Sequence, residues 1–128
     1  MSGGGPESWI VVAHGSRAPG TVEDHTDVCR ALRERADGEV ASVEPAFLEI
    51  SEPSIPDAID RAVADGAARV VLLPYFLHAG NHMRRDIPAL VDEARLRHPD
   101  VEIELAEHLG LHDALLDVLL DRARAVRR

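Results

Sequence analysis

The sequence predicts an α/β fold in which a four-stranded, mainly parallel sheet of order 2-1-3-4 carries helices on both faces. Three observations lead there. Short apolar runs alternate four times with segments of helical periodicity. Parallel neighbours need a crossover, which a helix usually supplies. The runs also differ in how completely apolar they are, which ranks them from the centre of a sheet to its edge.

Trp9-Ile10-Val11-Val12-Ala13 is a continuous apolar run and makes the first strand. After the polar turn HGSRAPG comes a helix with the stripe Val22, His25, Cys29, Leu32 and Ala36, and Thr21 and Asp24 are spaced as a capping box. Val43 to Ile50 reads as the second strand, which Pro45 assigns to an edge. Ser54 opens the next helix, with Pro56 in its first turn, Ile55, Ile59, Ala62 and Val63 inward, and Gly66 at its close. Arg69 to Leu77 is the third strand, apolar enough to be central. A helix follows from about Asp86, with Ile87, Leu90, Val91 and Ala94 inward, and His98-Pro99 stops it. VEIEL, from Val101, alternates and belongs near an edge. Leu111 to about Val126 is the last helix, its leucines spread around more than one face. The opening MSGGGPES, residues 1–8, reads as a flexible tail, and residues 9–128 as a single α/β domain.

If the first and third strands are central neighbours, a ligand crevice is expected at their carboxyl ends, where the connections diverge. The segments leaving those strands are HGSR and LHAGNHMRR. His14 and His82 are therefore expected to meet there, with Gly15 and Gly80 allowing tight backbone and Arg17, Arg84 and Arg85 supplying positive charge. Neutral imidazole binds cobalt, iron, nickel or zinc, and near neutral pH it also takes up a proton. Glu49, at the end of the second strand, reads either as a carboxylate that completes a metal shell or accepts a proton, or as a surface acid like nearby Glu52. His78 ranks below His82, because Gly80 and Asn81 favour a loop over a helical i, i+4 pair. His25 reads as a packed residue, His98 as a partner of a helix C-terminus, and His108 and His112 as surface residues flanking the turn after the fourth strand.

Composition narrows the function further. A net charge of −9 and an aromatic content of 3% argue against a nucleic-acid partner, which would need a basic face or stacking platforms. All 14 basic residues are arginine, so Schiff-base chemistry and phosphate-loop nucleotide hydrolysis have no lysine to use. Cys29 is the single cysteine, a packing residue that excludes an internal disulfide or a Cys-x-x-Cys pair. The longest apolar run is about eight residues, too short for a bilayer, so a cytoplasmic protein without a membrane partner is expected.

Taken together, VVAHGSRAPG, AFLEISEPSIPDAI and LLPYFLHAGNHMRRDIP, with the LGLH turn, resemble the small single-domain sirohydrochlorin chelatases of the cobaltochelatase type. The likeness covers nearly the whole chain after its first eight residues. It implies a chelatase-like fold and a lyase that inserts a divalent metal, Co2+, Fe2+ or Ni2+, into a sirohydrochlorin-like tetrapyrrole for cobalamin or sirohaem biosynthesis. The metal is then a substrate, and no organic cofactor is expected. The histidine of the His-Gly-Ser-Arg motif falls on His14 and that of the Phe-Leu-x-x-Gly-x-His motif on His82, implying metal-binding and catalytic roles for both. The acid of the Phe-Leu-Glu motif falls on Glu49, a third catalytic participant. Arg17, Arg84 and Arg85 are then expected on the substrate's carboxylates. A single motif set, against two halves in longer relatives, implies a homodimer with facing crevices. The competing expectations are a non-catalytic metal or tetrapyrrole carrier and a phosphoryl-transfer enzyme using His14 covalently.

Overall fold

Strands and helices alternate in the order β1 (Glu7–Ala13), α1 (Thr21–Ala36), β2 (Ser42–Phe47), α2 (Ile55–Ala64), β3 (Arg69–Pro74), α3 (Ile87–Arg97), β4 (Glu102–Leu105) and α4 (Asp113–Ala125). The structure, a computed structural model, describes residues 5–78 and 80–127, the side chains of His82 and Met83 excepted. Every strand pair is parallel and the sheet order is β2-β1-β3-β4, as expected.

The two-residue repeat of a strand sends alternate side chains to opposite faces. Ile10, Val12, Ala46, Val70, Leu72 and Ile103 point to one face, which α2 covers with Ile55, Ala58 and Ile59 and α3 with Ile87, Val91 and Ala94. Val11 and Val43 point to the other face, under Cys29 of α1. Full burial of each large aliphatic side chain contributes about 1.5–3 kcal/mol, so the first layer dominates stability.

Several boundaries differ from expectation, each for a physical reason. β1 begins at Glu7, so Glu7 and Ser8 belong to the sheet and not to a tail; Met1 to Gly4 lie outside the described residues. The Pro6 carbonyl accepts from the Ala68 and Arg69 amides, and the Glu7 carbonyl from the Ala41 amide. These are backbone bonds, to which apolar patterning is blind. Arg69 reinforces that end of the sheet: its Nη1 donates to Glu102 at 2.6 Å, and its Nε lies 3.4 Å from Glu7 without hydrogen-bond geometry. At the other end β2 stops at Phe47 and β3 at Pro74, short of Ile50 and Leu77.

The capping box expected at Thr21 does not form. Gly20, at φ 86°, is the N-cap of α1, and no side chain caps it; the Gly20 carbonyl accepts from the Asp24 amide at 2.8 Å. Ser54 does cap α2, its hydroxyl accepting from the Asp57 amide at 3.2 Å. The stretch after Gly80, expected as a loop, is helical. Asn81 leads into a π-helical turn over His82–Asp86 that runs directly into α3. α4 is capped by His112, whose Nδ1 accepts from the Ala114 amide at 3.0 Å, and buries none of its own residues.

Candidate active site

The C-terminal ends of β1 and β2 finish level, Ala13 opposite Phe47, and the pairing continues beyond both strands. The Leu48 amide donates to the Ala13 carbonyl at 2.9 Å and the Glu49 amide to the His14 carbonyl at 3.1 Å. This ladder fixes His14 and Glu49 as cross-strand neighbours, with Nε2 of the imidazole 3.3 Å from a carboxylate oxygen. The two side chains are 51% and 50% exposed, so the pair is open to a ligand from solvent. On the β3 side the His14 ring stands edge-on to Phe76, with centroids 6.1 Å apart.

Gly15 is required by close approach as well as by conformation. Its φ is 100°, and a Cβ there would overlap the Glu49 carbonyl oxygen. Gly80 differs from expectation, because a Cβ at that position meets nothing within 4 Å. Past Glu49 the chain makes a γ-turn around Ile50, at φ 69°, closed by the Ser51 amide donating to the Glu49 carbonyl at 2.7 Å. Ser51 then ties the two loops together, its hydroxyl accepting from the Ser16 amide at 3.4 Å and lying 3.2 Å from the Ser16 carbonyl as a donor.

Arg84 and Arg85 are exposed in the π-helical turn, at the end of α3 where the helix dipole is positive, beside Asp86, the N-cap of that helix. Cations there are unfavourable for the helix and favourable for an anionic ligand. Arg17 is exposed in the loop between β1 and α1, at the same edge of the sheet. His78 is exposed beyond β3. The His82 backbone starts the π-helical turn, while its ring, one half of the expected imidazole pair, lies outside the described residues. Among the described residues no three His, Cys, Asp or Glu side chains gather as a metal cage, so the described donors are His14 and Glu49.

The remaining ionisable residues have structural work. His25 is buried, donates from Nε2 to the Val11 carbonyl at 2.8 Å, and packs against Phe47 and Tyr75, bracing the strand ends beneath the site. His98 donates to Asp60 at 2.7 Å, a link between α3 and α2 beyond any dipole effect. That hydrogen bond, with Arg97 beside it, holds the Asp60 carboxyl below its usual range. Burial, with the Glu44 charge adding to it, pushes the Cys29 thiol up to about 11, as befits a packing residue. A groove between β2 and α2, lined by Ser8, Ile10, Ser42, Glu44, Ala58 and Arg61, lies towards the strand starts and contains none of the expected site residues. Sequence reasoning missed Phe76, Ile50 and Ser51, since an aromatic, an aliphatic and a serine at strand ends carry no chemical signature.

A family model, CbiX, matches residues 8–126. The sirohydrochlorin ferrochelatase, chloroplastic, of Arabidopsis thaliana is 37% identical over 119 residues, 93% of this chain and 52% of its own length. A sirohydrochlorin cobaltochelatase of Methanocaldococcus jannaschii is 33% identical over 141 residues, 91% of this chain and 97% of its own. The structure of SirB from Bacillus subtilis with Fe3+ shares the fold, with a TM-score of 0.87 at 23% identity over 96% of this chain and 48% of that one. The chain therefore spans about half of the Arabidopsis and Bacillus proteins and nearly all of the archaeal one. With a family model matching almost its full length and an archaeal relative of nearly the same extent, the chain belongs to the CbiX family.

Proposed function

We propose that the protein is a sirohydrochlorin chelatase, a lyase that exchanges two pyrrole N–H protons of the macrocycle for one divalent metal ion. The observation that carries this reading is the His14–Glu49 pair, 3.3 Å apart and half-exposed at the ligand-bearing edge of a parallel sheet. Imidazole near neutrality is suited both to hold a borderline metal and to take a pyrrole proton. Glu49 stabilises the imidazolium formed at Nε2, and the proton then passes to solvent. His82 is assigned the second imidazole of the site. Arg17, Arg84 and Arg85 bind the substrate's carboxylates, and the negative charge of the remaining surface disfavours other orientations.

The metal is a substrate, Co2+ or Fe2+ and also Ni2+, and no organic cofactor takes part. The protein is assigned to the cytoplasm, in cobalamin or sirohaem biosynthesis, as a homodimer of single-domain chains with facing crevices. Among the described residues no helix is long and apolar enough to cross a membrane. The test mixes the protein with sirohydrochlorin and Co2+, Fe2+ or Ni2+ side by side and follows the macrocycle's absorption. Many turnovers per protein, faster than spontaneous insertion, are expected with at least one metal. Stoichiometric binding without turnover would identify a carrier, and hydrolysis of a phosphate ester without any macrocycle response would replace the reading altogether.

A further inference from the structure

Two described non-glycine residues have positive φ, Asp37 at 36° and Ile50 at 69°. Asp37 is the C-cap of α1, a position where left-handed backbone is ordinary and a short polar side chain tolerates it. Ile50 has neither excuse. A β-branched residue in that region is a steric outlier, and the γ-turn around it is tight. The residue is also 55% exposed, so the core does not hold it there. Glycine would make the same turn without strain and without presenting an apolar group to water. An isoleucine more than half exposed, in a conformation that glycine adopts freely, points to a task outside the fold.

The surroundings identify the task. Ile50 adjoins Glu49 on the β2 flank of His14, while the Phe76 ring stands edge-on to His14 on the β3 flank and Leu77, 58% exposed, follows it. The Tyr75 amide bonds the Val12 carbonyl at 2.8 Å, which keeps that segment beside β1. Apolar groups thus flank the His14–Glu49 pair on both sides, and Arg84 and Arg85 stand at the start of the helix that follows β3. A planar ligand with an apolar face and an anionic rim matches this arrangement in both hydrophobicity and charge.

We propose that Ile50 is a substrate-contact residue which, with Phe76, seats the apolar face of the macrocycle over His14 and Glu49. The proposal rests on the chelatase reading for its ligand. Metal-free sirohydrochlorin is titrated into wild type, Ile50→Gly and Ile50→Leu, with melting and sedimentation measured in parallel. The glycine variant is expected to bind the macrocycle roughly tenfold more weakly, the loss of one buried aliphatic side chain, while melting at or above the wild-type temperature. The leucine variant is expected to recover most of the affinity. Unchanged affinity in Ile50→Gly overturns the proposal. So does a glycine variant that melts well below wild type, which would give the side chain to the fold, or one altered only in sedimentation, which would give it to contact between copies. Wild type that binds the macrocycle without turnover would remove the chelatase reading and leave this contact standing; absence of binding would remove both.

Discussion

His14 and Glu49 face each other because of a backbone fact, the amide–carbonyl bond between the same two residues at 3.1 Å. Their chemistry therefore separates from their folding, and side-chain changes report on the reaction. His14→Ala is expected to lower metal insertion by about two to four orders of magnitude, the usual range for a lost general base, with an unchanged circular dichroism spectrum. Glu49→Gln keeps shape and backbone but removes the charge opposite the imidazole, so its defect is expected to be smaller and to lie in kcat. Steady-state kinetics of both variants with Co2+ and Fe2+ check this. Full activity of either would remove that residue from the mechanism. Gly15 belongs to the same unit, since the Glu49 carbonyl occupies the space that any larger residue there would need.

Between elements, the contact from α2 to α3 through Asp60 is the one with a pH signature. His98 and Arg97 both bond its carboxylate, and its folded pKa lies below the ordinary value of about 3.9. A group depressed in the folded state contributes fully above its unfolded value and loses that contribution as pH falls through the folded one. Asp60→Asn is thus expected to lower the urea midpoint at about pH 6, with the difference from wild type shrinking as pH falls through the depressed folded value. The half-exposed Asp60 carboxylate limits the effect to at most about 1 kcal/mol. Equal midpoints for the two proteins at about pH 6 would leave the link without energetic weight.

The elements themselves were largely legible. Apolar runs and helical stripes identified all four strands and helices, and the apolar ranking ordered the sheet. The Ser54 cap and Pro45 on an edge strand were likewise readable, because each rests on a local rule. Glu7 and Ser8 escaped because backbone pairing places them, and the π-helical turn escaped because Gly80 and Asn81 signal a break. At the site, position in the topology singled out His14 and Glu49. The γ-turn at Ile50 was invisible, since nothing in an isoleucine announces a positive φ.

For the whole molecule, α4 is the unbalanced part. It has 13 residues, a length at which an isolated helix is marginal in water, yet it buries none of them. Leu116, Val118, Leu119 and Leu120 are all exposed. The proposed homodimer offers these side chains a place to be buried. Sedimentation velocity over a range of concentrations is expected to show a dimer, and Leu119→Glu with Leu120→Glu to shift it towards monomer. A monomer at all concentrations would leave α4 uncovered and the facing-crevice arrangement without support.

Because all strands run the same way, Glu7 and His14 mark opposite ends of β1, roughly 20 Å apart for a strand of this length. The chain also has no lysine, so amine-directed reagents find no amino side chain at either pole. Labelling with such reagents would therefore leave the imidazole–carboxylate pole as chemically intact as the opposite one.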